Sequence, residues 1–173
     1  MSESFDIDGV DRITAGAVGE PGERTFYVQA RTGARIVTLL AEKEQVRLLA
    51  EALLQLLGTL PETDEGPAPE ADALSLEGPL EPEWRVGEMA IEYEDQSGNV
   101  EIIITEIQSD EEQETDADGT ARFVVSRAQA RAMATHALEV VAAGRPRCQF
   151  CGYPLEPEGH ICPAMNGHRS YQE

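Results

Sequence analysis

Apolar and polar residues alternate with a period of two in six short stretches of this chain and recur at helical spacing in two longer ones. RITAGAV (residues 12–18) is followed by a Gly-Glu-Pro-Gly turn, after which RTFYVQA (24–30) puts Phe26, Val28 and Ala30 on one face. Thr32-Gly33 supplies the next turn, and ARIVTLL (34–40) completes a meander. From about Glu42 the positions Val46, Leu49, Ala50, Leu53, Leu56 and Leu57 mark the buried stripe of a helix, which Gly58 is placed to end.

The second half repeats this order. WRVGEMAIEYE (84–94) turns through DQSGN into VEIIITEI (100–107), and ARFVV (121–125) is a third strand. Ser126 and Gln129 form an S-x-x-Q capping box, Ala130, Met133, Ala134, Ala137 and Val141 share a helical face, and Gly144 and Pro146 stop the run. The stretches ARIVTLLAEKEQVRLLAEAL and ARFVVSRAQARAMATHAL keep strand, Gln and Arg in the same order once three residues are gapped. The pattern predicts an α+β fold in which two β-β-β-α units form a mainly antiparallel sheet with two packed helices and a C-terminal zinc-knuckle appendage. The expected boundaries are a first unit at 1–58, an acidic Pro-rich linker at 59–83, a second unit at 84–144 with an acidic loop at 108–119, and a zinc-binding segment at 145–173.

Charge refines this layout. The net charge of −20 is concentrated in two runs: 59–83 has eight acidic residues, no basic one and five of the ten prolines, and 108–119 adds six acidic residues and no base. The remaining 19 acidic residues against 13 basic ones leave −6 for the rest of the chain. Neither run has an apolar period, so both are expected as mobile, solvated connections, with a docking segment for a basic partner as the other reading. The balance opposes nucleic acid, which needs clustered Lys and Arg. No apolar run approaches the roughly 20 residues that cross a bilayer, and MSESFDIDGVDR opens with acidic residues where a secretory signal would be basic; a cytoplasmic location without membrane insertion is expected.

All three cysteines lie in RCQFCGYPLEPEGHICPAMNGH (147–168), together with two of the three histidines. Three thiols cannot all pair within one chain, so a disulfide framework does not account for the cluster. Cys148-x-x-Cys151 followed by Gly152 presents two thiolates from one turn, and His160 and Cys162 return as a second pair, completing a three-sulfur, one-nitrogen shell for a structural Zn2+. His168 is the alternative fourth ligand. A redox C-x-x-C would open a helix after a strand, whereas this one follows a helix; a catalytic zinc would keep a position open; an iron–sulfur cluster would use wider spacing. His136, near the edge of the second helix's apolar face, reads as a structural histidine before a catalytic base, and Trp84 as a packing residue before a partner-binding anchor.

The two β-rich halves, the acidic linker and the C-x-x-C-G...G-H-x-C-P...N-G ending resemble the actinobacterial domain-of-unknown-function 3090 family. The ending maps onto Cys148, Cys151, Gly152, Gly159, His160, Cys162, Pro163, Asn166 and Gly167. That resemblance implies a bacterial cytoplasmic setting and a phosphatase-like or kinase-like protein as partner, because such proteins are encoded nearby; it implies no activity. The sequence holds no Gly-rich phosphate loop, no G-x-S-x-G elbow and no H-E-x-x-H. It is therefore read first as a non-enzymatic, zinc-containing binding or adaptor protein with no catalytic residue or organic cofactor site. An enzyme acting on a phosphorylated small metabolite is the alternative, and a nucleic-acid-binding knuckle aided by Arg145, Arg147 and Arg169 the second alternative.

Overall fold

The computed structural model describes residues 2–108, 118–155, 159–165 and 169–170. Strands β1 (Phe5–Ile7), β2 (Arg12–Val18), β3 (Thr25–Thr32) and β4 (Arg35–Ala41) lead into helix α1 (Lys43–Thr59); β5 (Val86–Glu94), β6 (Asn99–Glu106) and β7 (Thr120–Val125) lead into α2 (Arg127–Ala142). The two β-β-β-α runs form where the alternation places them, and the α+β class follows. Instead of one sheet these two units build two, ordered β2-β3-β4 and β1-β7-β6-β5; all pairings within them are antiparallel except β1 with β7. Val28, Val37, Leu39, Ile102, Ile104 and Phe123 from the two sheets join Val46, Leu53, Met133 and Ala134 from the helices in one buried cluster. The helices pack on each other, and α2 lies along β2.

The two sheets meet at both edges, by the same device each time. The residues just before β5 run parallel to β4: Leu40 N–H donates to Trp84 O at 3.0 Å and Glu83 N–H to Thr38 O at 2.8 Å. The residues just before β2 run beside β7 in the same way, with Phe5 opposite Ala121 and Val10 N–H donating to Val124 O at 3.4 Å. Each helix secures the junction through a glutamine three residues past its cap. Gln45 accepts the Glu42 N–H and donates to Val86 O at 3.0 Å and Gly87 O at 3.1 Å. Gln129 accepts the Ser126 N–H, completes the box with Ser126 Oγ, and donates to Val10 O at 2.8 Å. Thus the glutamine shared by the two sequence stretches caps its own helix and holds the opposite unit at or just before its first long strand. Trp84 is buried and donates from Nε1 to Glu3 O at 3.0 Å, which is the packing role.

The linker departs from expectation. It lies docked across β2 instead of hanging free. Arg12 donates to Ala73 O, Asp72 O and Ser75 O and pairs with Glu77; Thr14 Oγ1 donates to Leu74 O at 2.6 Å. Gln29 clasps Glu77 from both sides, donating to its carbonyl and accepting its N–H. A Cβ on Gly16 would stand 2.8 Å from the Leu76 side chain, so the bare backbone there makes the seat for that leucine. Charge-assisted bonds from Arg12 and neutral ones from Thr14 and Gln29 to linker backbone groups add to the seat of Leu76 in ordering the linker. Of the acidic loop, residues 109–117 lie outside the described residues.

Candidate metal centre

Beyond α2 the chain makes one tight turn. Arg147 and Pro154 bridge as antiparallel neighbours, Leu155 N–H donates to Pro146 O, and Cys148 N–H donates to Tyr153 O, both at 2.8 Å. Inside that loop Gly152 N–H donates to Cys148 O at 2.8 Å, and Gly152 takes φ +75°, a conformation that glycine adopts without strain. The turn therefore aims Cys148 and Cys151 at one point. The chain returns through a two-residue strand, β8 (His160–Ile161), paired with β9 (Arg169–Ser170). Extended backbone sends His160 inward, Ile161 outward and Cys162 inward, so both inward residues meet the first pair.

The donor atoms of Cys148, Cys151, His160 and Cys162 all lie within 4.8 Å of one another, close enough to hold a metal ion. Cys148 Sγ and Cys162 Sγ are 3.8 Å apart, and Cys151 Sγ is 3.2 Å from His160 Nε2. Sulfurs bound at about 2.3 Å on the corners of a tetrahedron stand roughly 3.8 Å apart, so the sulfur spacing fits such a shell. No disulfide joins the cysteines. Burial pushes the Cys151 thiol above its ordinary pKa, and Cys162 and Cys148 push the same way, against the Tyr153 backbone hydrogen bond that lowers it. A crowded set of thiols resists ionising by itself; a cation among them reverses that preference.

The structure thus brings together the four residues singled out in the sequence, while the alternative, His168, lies outside the described residues. Phe150 and Tyr153 are exposed on this segment as its small size requires, and Leu155 is half-buried. Ile161, 66% exposed, is a further apolar surface residue; its place between two inward ligands on a strand was the signal for it. His136 is half-buried beside the Arg131–Glu65 ion pair in a shallow cavity of about 350 Å³, away from the cysteines.

A family model described as "Protein of unknown function (DUF3090)" matches residues 5–162, and the chain belongs to that family. No curated protein and no solved structure matches it. Among the described residues no helix is long and apolar enough to cross a membrane.

Proposed function

We propose that the chain is a non-enzymatic binding or adaptor protein whose C-terminal segment is stapled by one structural zinc ion. The observation that carries this is the closed donor set: three sulfurs and one imidazole within 4.8 Å. Sulfur and imidazole donors suit zinc over the oxygen-seeking cations, and four strong ligands fill a tetrahedron without leaving a position for water. Three thiolates and a neutral imidazole around a divalent ion leave a charge near −1. The thiol state suits a reducing cytoplasm.

The staple fixes a small surface that presents Phe150, Tyr153 and Ile161, exposed by 53%, 61% and 66%. Rigid aromatic and aliphatic side chains held in water are the kind that anchor protein interfaces, and a protein partner with an apolar recess, such as a phosphatase-like or kinase-like enzyme, fits them. Elemental analysis of the purified chain should give about one zinc per molecule, lost in Cys148→Ser. Tyr153→Ser and Ile161→Ser should keep the zinc and lose partners captured by the intact chain. Folded, metal-free protein would overturn the staple, and unchanged capture by both surface variants would overturn the docking role.

A further inference from the structure

Five of the 13 basic residues of this strongly acidic chain line a single cavity. Arg24 comes from just before β3, Lys43 from the first turn of α1, Arg85 from the entry to β5, and Arg145 and Arg147 from the segment between α2 and the cysteine cluster. The cavity encloses about 630 Å³, and Glu42 is the one carboxylate among its described lining residues. We propose that it is a binding site for a phosphorylated small molecule, with these cations as the phosphate receptor. The proposal goes beyond the zinc-stapled adaptor and does not depend on it, because Arg24, Lys43 and Arg85 belong to the two-sheet body.

The way Arg24 and Arg147 are held distinguishes them from the ion-paired arginines of the body. Several arginines elsewhere face carboxylates: Arg122 meets Asp6, Asp8 and Glu101, Arg47 meets Glu44 and Glu51, and Arg131 meets Glu65, whereas Arg127 donates to Pro61 O and the Tyr93 hydroxyl. In the cavity Arg24 and Arg147 lean on neutral groups. Arg24 donates to Val140 O at 2.6 Å and stacks over the Phe26 ring at 5.0 Å, and Arg147 donates to Gly152 O at 3.1 Å. Arg85 is 3.9 Å from Glu42, with both side chains more than half exposed. A Cβ built on Gly144 would stand 2.8 Å from Arg24 Nη2 and 3.2 Å from Lys43 Nζ, so these two cationic heads crowd one spot.

Carbonyl anchors fix a guanidinium without neutralising it, leaving its charge and spare N–H groups for an incoming anion. Crowded like charges are costly, and a bound anion relieves that cost. The N-terminus of the 17-residue α1 opens at the same place and adds its partial positive charge. The volume lies within the range of about 300–1,000 Å³ typical for small ligands, and Leu40, Ala41 and Pro154 provide apolar wall for a non-phosphate portion. Glu42 and Lys43 are the lining side chains suited to proton transfer, and no histidine or cysteine joins them among the described lining residues, which favours binding over turnover.

Calorimetric titration of the metal-replete full chain with pyrophosphate and with inorganic phosphate, at matched ionic strength, tests the site. Saturable one-site binding is expected, tighter for pyrophosphate. Lys43→Gln and Arg85→Gln should each weaken it about tenfold with zinc content and circular dichroism unchanged, while Arg47→Gln, outside the cavity, should not. Absence of saturation would overturn the proposal, as would equal loss in the Arg47 variant or equal affinity for citrate. Affinity for single-stranded oligonucleotides that rises with their length would reassign the cavity to nucleic acid. Phosphate-ester hydrolysis by the full chain, lost in Glu42→Gln, would overturn binding without turnover.

Discussion

The two-sheet body and the C-terminal segment solve the problem of staying folded by opposite means. In the body, alternating strand positions and two helical stripes converge on one apolar cluster, with Leu39, Leu53, Ile102 and Phe123 fully buried. In the described residues from 145 onward only Cys148 and Cys162 are buried, and the large apolar side chains Phe150, Tyr153 and Ile161 point to water. Burial therefore accounts for the first region and cannot account for the second. Under the proposed staple, a metal held by the four clustered donors takes the place of a core in a segment too short to build one.

Metal removal tests that contrast most severely. Chelation should abolish amide protection between Pro146 and Cys162, a local loss on the order of 10 kcal/mol, and leave protection in β3, β6 and both helices intact. Global loss of protection would break the comparison by showing that the metal centre supports the body as well. The converse experiment is Phe123→Ala, expected to cost the body about 3–5 kcal/mol in denaturant unfolding while the zinc stoichiometry of the folded fraction stays the same. A third region sharpens the contrast, since the linker is ordered by neither route. Arg12→Ala should cost roughly 1–3 kcal/mol and open residues 61–77 to proteolysis; an unchanged cleavage pattern would mean that the remaining contacts suffice.

The smallest expected effect depends on pH. The hydrogen bond from Arg131 holds the Glu65 carboxyl below its ordinary value of 4.5, with burial opposing and the charges of Arg131 and Arg127 helping. A lowered folded-state pKa stabilises the native chain fully above the unfolded value and loses that contribution as pH falls through the folded one. Glu65→Gln should therefore cost less than about 1 kcal/mol at neutral pH, and the gap between variant and parent should close in acid. A constant gap down to pH 2 would remove the ion pair from the account.

Legibility followed the length of the repeating signal. Strands β2 to β7 and both helices show several periods of alternation or helical spacing, so their chemistry is written in order along the chain. Strand β1 has only Phe5, Asp6 and Ile7, too short for a period, and its partner is Ala121–Phe123. The division into two sheets was hidden because the stitches at Leu40 and Val10 are backbone bonds, open to any side chain. The docked linker was hidden for a related reason: Arg12 and Gln29 read as outward strand positions, and their acceptors are carbonyls with no residue signature. The cysteine cluster was legible because all four donors fall within 15 residues. The basic cavity was not, since its five cations come from four separate parts of the chain.

The pairing of β1 with β7 sets an order of events during synthesis. Phe5 is synthesised well before its partner Ala121, which follows 116 positions later. The β4 edge of the first unit stays open until Glu83–Arg85 emerges, and the other edge waits longer, for β7. Strand β1 thus acts as a latch that closes only once β7 has emerged, and long-range closure of that kind slows folding. A nascent chain stalled before residue 120 should remain open to chaperones and proteases, and release of β7 should bring protection to both ends of the body at once.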